Sequence, residues 1–137
     1  MKTSTRTLAG AVGLLAAAPT AVVIDGSPAG ADAGGCDRPT GIHTCLSAVE
    51  GGHYFNLLYQ KVHFDSRYDG CLTWLINFDY VGHTATETYR ECFHGSGDFT
   101  HTWRKNWQAP DSLYRVCATM RRDDGALQTG YACLWIG

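Results

Sequence analysis

The chain has 137 residues, a formal net charge of −2 at pH 7, six cysteines and six histidines. That length accommodates one small domain. A balance so close to neutral gives no global basis for holding nucleic acid or an anionic membrane surface, and neither is expected as a partner.

The N-terminus reads as a secretory signal. Lys2 and Arg6 make a basic start, Leu8 to Ile24 is an apolar run, and a small polar stretch ends in Ala31-Asp32-Ala33. Cleavage is expected after Ala33, with Ala31 as the alternative. Residues 1–33 are then a leader, and 34–137 a single disulfide-stabilised β domain. Pro19 interrupts the apolar run, and no later stretch is apolar enough to span a bilayer. No membrane association is expected after cleavage. Gly34-Gly35-Cys36 is not read as a lipid-attachment site, because Ala33 stands where a large aliphatic residue is needed and five cysteines would be left over. All six cysteines follow the leader, which implies three disulfides and a secreted, extracellular protein.

Gly34 to Gly52 reads as irregular, with Asp37-Arg38-Pro39-Thr40-Gly41 turning a Cys36–Cys45 loop. Tyr54 to Phe64 is a strand candidate, and Asp65 to Gly70 a turn cluster. From Leu72 to Tyr80 every even residue is apolar, and Thr73, Asn77 and Asp79 between them are polar: a strand with one wet face. A two-residue turn at Val81-Gly82 pairs Tyr80 with His83, Trp74 with Tyr89 and Cys71 with Cys92, so the hairpin staples its own open end. Gly95 to Asp98 ends that hairpin. Phe99 to Trp107, Ser112 to Arg122 (inner face Tyr114, Val116, Ala118 and Met120) and Thr129 to Ile136 complete about six strands. No stretch has a helical period. The fold class is therefore all-β, a small antiparallel sandwich or barrel. A loop at Asp123 to Leu127 sets Cys117 against Cys133, so the pairing expected is sequential: Cys36–Cys45, Cys71–Cys92 and Cys117–Cys133. Each closure is worth roughly 3 kcal/mol in the chain-entropy model.

Few residues suggest chemistry. His43, His53, His63, His83, His94 and His101 form no tight ligand pair on one strand, and with the cysteines spent on disulfides no metal or other cofactor is expected. No nucleophile elbow, phosphate loop or dinucleotide fingerprint is present. The hairpin register does put Glu87 and Glu91 on the inner face, where apolar neighbours would raise a carboxyl pKa toward general-acid use. Arg90 and His94 point the other way, so a catalytic partner would have to come from another strand, through His101 or Arg115.

The most suggestive surface is Trp103-Arg104-Lys105-Asn106-Trp107. Strict alternation places Trp103, Lys105 and Trp107 on one face, and Arg104 and Asn106 on the other. A lysine between two tryptophans implies either snorkelling at a sheet edge or a partly open face. Trp103, Arg104, Lys105 and Trp107 are thus the candidate binding residues. The last strand, ending at Ile136-Gly137, offers an edge for strand addition unless the 46–64 segment covers it. These features favour a secreted, non-enzymatic interaction module. Its expected partner is an extracellular protein, with the chain as inhibitor, adaptor or small subunit of a toxin or other assembly. A carbohydrate-binding module is one alternative, and a small nuclease-like hydrolase using Glu87 or Glu91 with a histidine is the other.

Overall fold

The computed structural model describes residues 34–37 and 41–137. The leader and the middle of the 37–41 turn lie outside the described residues. Six strands follow in order: β1 (Gly35–Cys36), β2 (Ile42–Gly51), β3 (Tyr54–Tyr80), β4 (His83–Gln108), β5 (Leu113–Arg122) and β6 (Ala132–Trp135). All pairings are antiparallel, along the path β1-β2-β3-β5-β6, with β4 pairing β3. The sheet is an all-β barrel, nearly closed.

Two long strands organise it. The hairpin register holds without a slip from Tyr80 opposite His83 through Trp74 opposite Tyr89 and Cys71 opposite Cys92 to Tyr68 opposite Gly95. Gly82, at φ 98°, supplies the left-handed turn residue. The expected turn clusters on either side prove to be bends inside continuous strands. Asp65 to Gly70 carries a register shift between Phe64 and Tyr68, and Gly95 and Gly97 take positive φ opposite it. The hairpin therefore folds back on itself. The N-terminal half of β3 pairs with β2 and the far arm of β4, and its C-terminal half pairs with β5 and the near arm.

Gly34 to Gly52 is not irregular. Residues 42–51 form β2, with Thr44, Leu46 and Ala48 buried in alternation. Tyr114 is also not on the inner face. A register shift between Asp79 and Tyr80 makes it the extra residue of β5, so Leu113 enters the core in its place and Tyr114 is exposed.

Alternate inward positions from every long strand fill the barrel: Leu46, Phe55, Leu58, Val62, Phe64, Leu72, Trp74, Ile76, Phe78, Phe93, Val116, Met120 and Leu134. One polar side chain crosses this core fully satisfied. Buried Gln60 donates to Thr44 Oγ1 (3.0 Å) and the Thr119 carbonyl (3.0 Å), and accepts from Trp103 Nε1 (3.1 Å). The three disulfides are Cys36–Cys45, Cys71–Cys92 and Cys117–Cys133. Each joins residues directly opposite one another in a ladder.

The edge of β6 is covered at its middle by β1, with β2 close beside it. A Cβ at Gly35 would stand 2.8 Å from the Cys133 carbonyl oxygen, and the Gly130 N–H donates to Asp37 Oδ2 at 2.7 Å. Glycine is what permits that approach.

Candidate functional site

The two arms of β4 meet across the seam of the barrel, and the chemistry-bearing side chains gather there. The sequence expectation of strict alternation fails at Trp103. Leu58 opposes Arg104 and Tyr59 opposes Thr102, which leaves Trp103 as a bulge. Trp103 and Arg104 therefore both turn inward, and Lys105 turns out. Asn106, at φ 50°, flips the parity once more and returns Trp107 to the inner side.

The four candidate binding residues are placed accordingly. Trp103 is 9% exposed and bonded to Gln60. Trp107 packs on Phe55 (centroids 5.5 Å) and edge-on to Phe78 (5.7 Å). The Arg104 guanidinium lies over Phe78 (4.7 Å) and Trp107 (4.9 Å). Lys105 alone of the four is exposed, on the face away from both tryptophans. Trp103, Lys105 and Trp107 therefore do not share one face: the bulge buries Trp103, and the left-handed asparagine returns Trp107, partly buried, against the core.

The seam instead joins Arg104 to Glu87. Nη1 donates to Oε1 at 2.9 Å and Nη2 to Oε2, a fork held from both sides. Arg104 beside it holds the Glu87 carboxyl below its ordinary pKa, against the opposing effect of partial burial. The sequence expectation was the opposite shift, and an ionised, paired Glu87 is not a general acid. Glu91 accepts from the indole N–H of Trp74 at 2.8 Å. Arg115 joins neither glutamate. Its Nε donates to Asp79 Oδ2 (2.7 Å), whose other oxygen accepts from Thr84 (2.8 Å). Burial opposes ionisation of Asp79, but these two bonds outweigh it and lower its pKa.

His101 is the one histidine drawn into the seam. Its ring stacks on Tyr89 (4.6 Å) and Trp74 (5.6 Å) and meets Trp103 edge-on (4.5 Å). Burial lowers its pKa, partly offset by the Glu91 charge. Neither sequence distance nor strand parity announces this cluster, because only the folding of the hairpin on itself brings position 101 to position 89. The other histidines lie elsewhere. His94 Nδ1 faces Asp69 (3.3 Å), and His63 sits between Asp65 (3.0 Å) and Asp98 (2.6 Å).

The His101 shift has a measurable consequence. A histidine whose folded pKa lies below its unfolded value of 6.5 resists protonation in the native state. Its contribution is complete above about pH 6.5 and is lost as pH falls through the folded pKa. Melting temperature is expected to drop on acidification below pH 6.5, and His101→Gln is expected to flatten that part of the profile. Parallel profiles for the two proteins would contradict this role.

No protein-family model matches the chain, and no curated protein matches it at a significant level.

Proposed function

We propose that the chain is an exported, non-enzymatic binding domain that engages a protein partner outside the cell, as an inhibitor, adaptor or small subunit of a larger assembly. The observation that carries this reading is the outer strand of the hairpin. Among the described residues β4 pairs with β3 only, so the backbone edge of its 83–95 arm has no second strand beside it, although side chains of the 97–108 arm reach it across the seam. Three disulfides fit an oxidising, extracellular setting. The carboxylates considered for acid–base work are committed to structural bonds, Glu87 to Arg104 and Glu91 to Trp74. The test is to isolate the protein from the culture fluid of its producer and determine the mass of the species that carries it. A complex with one partner protein in fixed ratio is expected. A bare monomer that binds no protein from the same fluid would overturn the reading.

A second reading, hydrolysis, has one observation in its favour: a low-pKa His101, Glu91 and Arg104 share one seam. It predicts cleavage of RNA or a polysaccharide that disappears in both Glu91→Gln and His101→Ala. Equal, background activity in all three proteins would dismiss it.

A further inference from the structure

The two arms of β4 are both edges, yet only one has its backbone interrupted. The 97–108 arm carries the Trp103 bulge, a left-handed Asn106 and an exposed Lys105, all devices that discourage strand pairing. The 83–95 arm has no bulge, no proline and no lysine, and its threonines at 84, 86 and 88 are exposed. The Cα atoms of Cys71 and Cys92 stand 3.8 Å apart, the close spacing of a non-hydrogen-bonded pair. Cys92 and every second residue before it (Arg90, Thr88, Thr86, Thr84) therefore turn N–H and C=O away from β3. Among the described residues nothing bonds those groups. The side chains are tied instead: Thr84 to Asp79, Thr86 to Asn77 and Arg90 to Asp123. They hold the edge extended and leave its backbone free.

We infer that this edge receives an extended, basic segment of a partner protein by antiparallel or parallel strand addition. The inference rests on the protein-binding reading above and names the chemistry of the partner. The inner rim of the arm presents Glu87, Tyr89 and Glu91 in alternation, with Tyr89 half exposed. Arg104 answers one carboxylate, and His101, its pKa lowered by burial, adds no charge at neutral pH, so the rim is net acidic. An added strand places side chains opposite these three positions on the same face. Arginine or lysine opposite Glu91 meets an unanswered charge. A basic residue opposite Glu87 takes the place that Arg104 holds in the free protein, and an apolar residue opposite Tyr89 the place of the His101 ring, so the added strand enters the seam between the two arms. Glutamate or aspartate there is repelled.

The probe is the capped heptapeptide Thr-Arg-Thr-Val-Thr-Arg-Thr, compared with its Glu-for-Arg counterpart, with backbone amides followed by NMR on the intact, oxidised protein. The basic peptide is expected to slow hydrogen exchange at Thr86, Thr88 and Arg90, and the acidic one to leave them unchanged. Glu91→Gln retains an acceptor for Trp74 and is expected to weaken the effect about two- to fivefold, the worth of one cross-strand charge pair. Thr88→Pro removes an outward N–H without touching the β3 ladder and is expected to abolish it. The inference is overturned if the basic peptide protects none of these amides at millimolar concentration, or if the acidic peptide protects them equally. A natural partner that still binds Thr88→Pro would overturn it while leaving the protein-binding reading intact. Absence of any partner with protection by the basic peptide would do the reverse.

Discussion

Replacing Trp74 by alanine is expected to lower the free energy of unfolding by about 4 kcal/mol, the cost of emptying a large aromatic site in a packed core. Trp74 is fully buried, touches Phe93 (5.9 Å) and His101 (5.6 Å), and holds Glu91 through its indole N–H. Domains of this size are stable by only about 5–15 kcal/mol, so the variant is expected to unfold at a much lower urea concentration. Trp74→Phe separates the two contributions. It keeps most of the volume, loses the bond to Glu91, and is expected to cost about 1–2 kcal/mol. Equal midpoints for the alanine variant and the parent would mean that the seam is not built on this ring.

The second large effect concerns the disulfides. Removing Cys71–Cys92 as the double serine variant is expected to cost about 2–4 kcal/mol, because that bond closes 21 residues of sequence across the central hairpin. Removing Cys36–Cys45, which closes 9, is expected to cost less by about 0.7 kcal/mol on the same chain-entropy argument. Urea titrations of the two variants check the order. A larger loss from the Cys36–Cys45 variant would show that native-state packing around β1, rather than loop entropy, sets the contribution of that bond. Full reduction removes all three constraints from a thin core and is expected to unfold the domain at 37 °C.

The parts of the fold legible in the sequence are those where one residue type does one job. Leu72 to Tyr80 alternates, Val81-Gly82 turns, and two cysteines fall opposite each other, so register and disulfide followed together. Elsewhere the same residue types serve two jobs. Gly95 and Gly97 are as suited to a bend within a strand as to a turn between strands, and Asp65 to Gly70 hides a bulge behind turn chemistry. The 42–51 strand was obscured because its inward residues, Thr44, Leu46 and Ala48, are mostly small and are interleaved with His43, Cys45 and Ser47.

The candidate site divides the same way. The inward positions of Glu87 and Glu91 follow from the hairpin register, opposite Ile76 and Leu72. The partner of Glu87 does not. Strict alternation sends Arg104 outward, and the one extra residue at Trp103 reverses it. The bulge at Trp103 and the left-handed Asn106 together thus set both tryptophans against the core, bring Arg104 into a forked ion pair and turn Lys105 outward. They also interrupt one arm of β4 and leave the other as the open edge.

The measurement that bears most directly on the proposed role is the mass of the complex that the protein forms in its native culture fluid, made with the parent and with Thr88→Pro. The parent is expected to elute with one protein in fixed ratio, and the proline variant to elute alone while keeping its melting temperature within a few degrees. A parent that elutes alone, with no protein from that fluid binding to it, would contradict the role of a protein-binding domain.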